Sequence, residues 1–182
     1  FENSSFAGLR SNELINQQIE NQLKFIKKLK IGFSWYSFGN KTGNLRSLKR
    51  KDVISLLETG HSFINLQYGN ILDEIKSINS SSKNKLITID GVDLKYDIDH
   101  VASIIDNCDL IITIDNTVAH LAGSLGKIVY LIASSNPENP WWMENRDNSI
   151  WYSNMIIFRQ KILNNWEDVI INIKKSLLSI KK

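Results

Sequence analysis

The sequence has 182 residues, enough for one domain with a sizeable core and too few for two full α/β domains. Apolar residues make up 42% and interspersed charged residues 23%, which excludes a disordered chain, and a formal charge of +3 from 22 basic and 19 acidic residues supplies no general surface for nucleic acid. With Cys108 as the single cysteine no intrachain disulfide can form, and no apolar run reaches the roughly 18 to 20 residues that span a bilayer. The expected setting is a reducing cytoplasm. The N-terminus carries no signal-peptide pattern, and a chain that starts at Phe1 is expected to be a portion of something longer.

In chain order, residues 12 to 28 place Leu14, Ile15, Ile19, Leu23 and Ile26 at helical spacing before a lysine-rich end, which predicts a lead-in helix. A short apolar run from Lys30 to Trp35 predicts a strand, and the Gly39 to Asn44 stretch breaks it into a loop. Ser47 can cap a helix that runs through Leu57 to a Gly60 stop. The unit then recurs: a strand over Ser62 to Gln67, a short helix over Ile71 to Ile78, and a strand over Lys85 to Ile89. Asp99 can cap a helix over Val101 to Asn107, followed by a fully apolar strand at Leu110 to Ile114, a helix at Thr117 to Leu125 and a strand at Ile128 to Ile132. A long loop with both prolines and the pair Trp141 and Trp142 precedes a last strand at Met155 to Phe158 and a last helix at Trp166 to Ile180. Strands apolar on both faces and separated by helices predict a doubly wound α/β fold, a mostly parallel sheet with helices on both faces. The division expected is a lead-in helix and linker over 1–29 and a Rossmann-like domain over 30–182.

Ligands of such sheets bind beyond the carboxyl ends of the strands, near the point where strand order reverses. There the apolar strand ending at Ile114 hands a polar triplet, Asp115, Asn116 and Thr117, to a helix start. Bare amides of Thr117, Val118 and Ala119 at that start would attract phosphate, with the Thr117 hydroxyl as a further donor and small residues Ala119, Ala122 and Gly123 letting the helix approach the strands. His120, on the first turn, either reaches a phosphate oxygen or orients Asp115, or is a packed histidine with a satisfied nitrogen. Asp115 is either a site residue or an ordinary N-cap. Ser34 at the first strand tip and Arg46 after the glycine- and asparagine-rich loop form a second group, Arg46 being either a diphosphate ligand or a solvated surface residue. Gln67 and Tyr68 end the second strand where an amide and an aromatic ring can read a base or ribose.

Three histidines, His61, His100 and His120, have no zinc-like spacing, so no metal site is expected. Neither a phosphate-binding P-loop nor a G-x-G-x-x-G turn nor a G-x-S-x-G elbow occurs, which disfavours P-loop enzymes, nucleotide dehydrogenases and serine hydrolases of that type.

The run from Asp115 to Lys127, DNTVAHLAGSLGK, resembles the Asp-Thr/Ser-x-x-x-His-Leu-Ala-x-x-Leu-Gly-Lys segment of heptosyltransferase-like (glycosyltransferase family 9-like) enzymes. Residues 31–35 (IGFSW), Arg46 with Ser47, residues 65–67 (NLQ), Trp151 with Tyr152, residues 158–160 (FRQ) and Trp166 resemble successive landmarks of the C-terminal domain in tetratricopeptide-repeat members of that family. Asn116 stands where the family usually has threonine, and Ile128 and Ser153 where prolines are common. The resemblance implies the C-terminal half of a GT-B fold, binding a nucleotide-diphosphate sugar for transfer to a glycan or protein acceptor. Asp115, Asn116, Thr117 and His120 would line the diphosphate, with Arg46 and Ser34 opposite. It further implies metal-independent stabilisation of the departing diphosphate and no cofactor beyond the donor sugar nucleotide. The general base would lie on an N-terminal Rossmann-like half, a partner of this domain along with a repeat array. The alternatives are a noncatalytic nucleotide- or glycan-binding module and a protein-interaction domain displaying Trp141, Trp142 and Trp151, whose rings otherwise pack the last helix onto the sheet.

Overall fold

The computed structural model describes residues 8–38, 43–135 and 146–180. Its elements are α1 (Glu13–Leu23), β1 (Lys30–Ser34), α2 (Gly43–Arg46), α3 (Arg50–Leu57), β2 (Ser62–Asn65), α4 (Leu72–Ser81), β3 (Leu86–Ile87), α5 (Ile98–Asp106), β4 (Leu110–Ile114), α6 (Thr117–Ser124), β5 (Val129–Ala133), β6 (Met155–Arg159) and α7 (Glu167–Ser179). The strands form one sheet in the order β3-β2-β1-β4-β5-β6, every adjacent pair parallel. This is the doubly wound, Rossmann-like α/β fold that the alternation of apolar runs predicts.

Strand residues alternate between two cores. Ile31, Phe33, Leu110, Ile112, Tyr130 and Ile132 face a layer that includes α3, α4 and α7, whereas Ile64, Ile111, Val129, Leu131, Met155 and Ile157 face α1, α5 and α6. Gly32 lies between Phe33 and Ile31 on the second face, where a Cβ would stand 2.6 Å from the side-chain tips of Ile111 and Leu66; the glycine makes room for the neighbouring strands' branched residues. The lead-in helix is docked rather than free: α1 buries Ile19 and Leu23 in the second core. Beside it, Ser11 Oγ and Asn16 Nδ2 donate to Asp106 Oδ2 at 2.7 and 2.9 Å. Cys108 is buried, its thiol donating to the Ile104 carbonyl at 3.2 Å, and desolvation pushes that thiol up to about 12.

Several element ends differ from the sequence expectation. The first helix stops at Leu23, ahead of the lysines that were expected to complement its dipole, with Asn12 as its cap accepting from Leu14 N and Ile15 N. Asp97, not Asp99, caps α5, because only from that position does the carboxylate reach His100 N, at 3.1 Å. Ser47 caps nothing: its hydroxyl donates to the Gly43 carbonyl at 2.7 Å and accepts from Ser37 N at 2.9 Å, tying the new turn α2 to the end of β1, while α3 begins after Lys49, whose N–H donates to Asp52 Oδ2. The loop residues 39–42 and 136–145, the latter holding both prolines, Trp141 and Trp142, lie outside the described residues. No helix among the described residues is long and apolar enough to cross a membrane.

Candidate functional site

Strand order reverses between β1 and β4, and their tips stand side by side: Ser34 pairs in register with Thr113. Open α/β sheets take ligands at such a crevice. The chain delivers Asp115 and Asn116 there at the exit of β4, Ser34 to Ser37 at the exit of β1, and Gln67 and Tyr68 just past β2.

Arg46, the last residue of α2, reaches across to the exit of β4. Its Nη1 donates to the Asp115 carbonyl at 3.2 Å and stands 3.8 Å from Asp115 Oδ2, and its Nη2 donates to Ser37 Oγ at 3.1 Å. Arg46 is therefore no solvated surface residue, and Asp115 is buried rather than acting as an N-cap. The two opposite charges partly offset each other, leaving a fixed guanidinium beside the helix start.

Asn116 is the cap of α6. Its Oδ1 accepts from Val118 N at 2.9 Å and from Ala119 N at 3.4 Å, so these two amides are not bare as the sequence pattern suggested. A side-chain carboxamide two residues before an amide satisfies it locally, which a reading of strand and helix ends alone does not reveal. The same carboxamide continues across the crevice: Thr113 Oγ1 donates to Asn116 Oδ1 at 3.0 Å and Asn116 Nδ2 donates to Ser34 Oγ at 2.9 Å. Ser34 Oγ in turn donates to Gln67 Oε1 at 3.1 Å, which also accepts from Trp35 N and Tyr36 N at 3.0 and 2.7 Å. Gln67 and Ser34 are both buried, and their polar atoms bind protein. A hydrogen-bonded chain thus joins the tips of β2, β1 and β4 and aligns the crevice walls.

Thr117 is exposed at the first helical position, while Val118 and Ala119 pack into the second core. His120 is half-buried, with Nδ1 3.3 Å from the Tyr152 hydroxyl and the two rings edge-on at 6.0 Å, so the partnered nitrogen of the packed-histidine alternative is present. Gly123 owes its size to that same tyrosine ring and not, as expected, to the strands; buried Ala119 and Ala122 are the residues that bring α6 down onto the sheet.

Tyr68 stands apart from the Asp115 group, in an aromatic cluster that the sequence did not single out. Its ring lies 5.5 Å from Phe38, which meets Tyr36 edge-on at 4.9 Å. Phe38, Tyr68, Gly69, Asn70 and Lys95 line a cavity of about 520 Å³ beyond β1 and β2. Gly69, at φ 101°, lies under the Phe38 ring, where a Cβ would come within 2.5 Å of it. Aromatic residues just past two adjacent strand tips were the available signal for this cluster. Among the described residues no group of three or more His, Cys, Asp or Glu could hold a metal ion.

No model of a known protein family matches the sequence. The chain is 29% identical over 108 residues to protein FlbA of Caulobacter vibrioides, an alignment covering 59% of this chain and 18% of that protein. Its fold is similar to the glycosyl transferase family 9 structure from Veillonella parvula, at TM-score 0.66 and 15% identity, covering 94% of this chain and 48% of that one. ADP-heptose LPS heptosyltransferase II of E. coli gives 0.68 and 13%, covering 94% and 53%, and E. coli heptosyltransferase WaaC with ADP gives 0.60 and 13%, covering 90% and 47%. The chain spans about half the length of these solved structures and under a fifth of FlbA. At such identities the likeness establishes a shared Rossmann-like α/β fold.

Proposed function

We propose that this chain is the donor-binding half of a GT-B glycosyltransferase, holding the diphosphate of a nucleotide sugar over the crevice between β1 and β4. The observation that carries this reading is the convergence of Arg46, Asp115 and the start of α6 at the strand-order reversal. The fold likeness to enzymes whose names specify ADP-heptose, ADP or family 9 transfer supports it. An incoming diphosphate takes the exposed Thr117 end of the helix, displaces Asn116 Oδ1 from Val118 N and Ala119 N, and draws on the Arg46 guanidinium. Ser34 and Gln67 act by fixing the crevice walls, and the cavity beside Tyr68 accommodates the flat, apolar face of the base. Charge developing on the departing diphosphate is stabilised by these donors, without a metal, while the general base comes from a second Rossmann-like half and the acceptor is a glycan or a protein. The setting proposed is cytoplasmic, with a repeat array as a further part of the whole protein.

Calorimetry with pyrophosphate and with ADP, UDP and GDP tests the reading. Binding of at least one nucleoside diphosphate, lost about tenfold in Arg46→Ala as expected for one charge-assisted contact, supports it. Absence of binding by all four ligands sinks it. One observation favours a second reading, a noncatalytic module: the carboxamides of Asn116 and Gln67 already occupy four backbone amides that an anion would use. In the glycan-binding form of that reading nucleoside diphosphates fail to bind while the fold remains intact; in its nucleotide-binding form they bind without sugar transfer. A protein-interaction role has Trp151 as its described residue, half of whose surface is exposed; Trp141 and Trp142 lie outside the described residues.

A further inference from the structure

Helices α3 and α7 lie side by side and point the same way. Trp166 Nε1 donates to the Ser47 carbonyl at 3.1 Å and Lys174 Nζ to Ser55 Oγ at 3.2 Å, two bonds that each span 119 residues. Between the helices runs a groove of about 520 Å³ in which the crevice has no part. Its α7 wall carries Ile171, Lys174, Lys175 and Leu178, spaced i, i+3, i+4 and i+7 and therefore on one helix face, and Lys51 joins them from α3. The inner face of α7 is committed to the core through Val169, Ile170, Ile173 and Leu177, yet outward Ile171 and Leu178 keep 42% and 80% of their surface exposed.

Lysines near a helix end are by themselves ordinary solvated cations. Here three of them flank two exposed branched apolar side chains. The carboxylates of the groove do not neutralise that end: Asp52 is buried and accepts from Lys49 N, and Glu167 lies in the first turn of α7, about three turns before Leu178. A face that is cationic and apolar at once complements an anionic bilayer, where leucine and isoleucine tips enter the boundary and lysine stems let the ammonium groups rise to the headgroups. An acidic helix laid in the groove would need an apolar floor, and Ile170 beneath it is only 4% exposed, already packed into the core. The start of α7 stands beside Ser47 at the crevice end of the sheet, and Leu178 lies about 17 Å further along the helix, so a membrane met at that end leaves the crevice open.

We propose that the last turns of α7, with Lys51 of α3, form a docking surface for an anionic lipid bilayer. The surface does not depend on the diphosphate reading.

Co-sedimentation of the chain with vesicles tests it, one set of phosphatidylcholine alone and one of equal parts phosphatidylcholine and phosphatidylglycerol. The expected result is binding to the second set only, weakening as salt is added. Lys174→Gln with Lys175→Gln lowers vesicle affinity about fivefold for each lysine, the scale of one basic side chain at an anionic surface. Leu178→Ser lowers it about tenfold, the scale of one apolar side chain leaving water, at unchanged thermal stability because the residue is exposed. Lys24→Gln with Lys28→Gln removes the same charge beyond α1, on the other layer, and leaves vesicle affinity nearly as in the wild type. Absence of binding to the anionic vesicles overturns the proposal, as does equal loss in the two double variants, which would make the attraction one of net charge alone. Wild-type affinity in Leu178→Ser also overturns it and makes an acidic protein surface the better occupant. Pyrophosphate affinity is expected to be the same in the wild type and all three variants, so failure of either reading leaves the other standing.

Discussion

The two helical layers that sandwich the sheet are built from different materials. The layer of α3, α4 and α7 packs large side chains, among them Phe33, Trp35, Phe63 and Trp166, all fully or nearly buried. In the other layer α6 meets β4 and β5 through Ala119 and Ala122, both fully buried, and its polar start stands at the tip of β4. Large residues fill volume and hold helix and sheet apart, whereas small ones let a helix lie close, so that its first turn becomes part of the crevice floor. In the first layer packing sets stability; in the second the same residues set stability and place the site.

Ile173→Ala in α7 gives the largest expected effect on one side of this comparison. A fully buried isoleucine truncated to alanine costs about 3 kcal/mol, measured by denaturant unfolding, while pyrophosphate affinity in the folded protein stays as in the wild type. Ala122→Leu tests the other layer. Overpacking there costs about 2 kcal/mol and lifts α6 from the sheet, so here affinity falls together with stability. Loss of affinity in both variants, or in neither, would erase the distinction between the layers.

The sequence makes the layers themselves legible. Runs such as residues 110–114 and 129–133, apolar at every position, are buried on both faces and can only be inner strands of a covered parallel sheet. Helix limits were less legible, since Asp97 and Asp99 are equally good caps in composition and the backbone geometry decides between them. The short α2 had no apolar period to announce it. At the site, the positions of Asp115, Asn116 and Arg46 followed from strand ends, but not their bonding. A carboxamide can cap its own helix, bridge to Ser34 or face solvent, and which of these Asn116 does depends on the distance between β1 and β4 after folding. Phe38 and Lys95 were not singled out, and Tyr152 only as a landmark of the resemblance without a contact to His120, because each arrives from a loop whose course no local pattern fixes.

The second layer also holds the thiol of Cys108, raised by burial from an ordinary 9.0 to about 12. The unfolded chain loses this proton near pH 9 and the folded chain does not, so between these values the folded state binds one more proton. The contribution is fully present below pH 9 and is lost as pH rises towards about 12. Cys108→Ala should flatten the decline of unfolding free energy over that window by about 1.4 kcal/mol per pH unit, the value of one proton. Equal slopes for wild type and variant would mean that the thiol is not desolvated as its place beside Ile104 requires.

Asn116→Ala carries the smallest cost in stability and separates packing from anion binding most sharply. Loss of an N-cap side chain costs about 1 kcal/mol, and the buried Ala119 and Ala122 contacts that hold α6 down are untouched. The substitution frees Val118 N, which the carboxamide oxygen otherwise holds at 2.9 Å. An anion and that oxygen compete for the same hydrogen, so removing the competitor should raise pyrophosphate affinity severalfold although the protein is less stable. Calorimetry beside denaturant unfolding reads both. If affinity falls instead, the carboxamide is itself a ligand of the anion, and the donor that reaches it is Nδ2 released from Ser34.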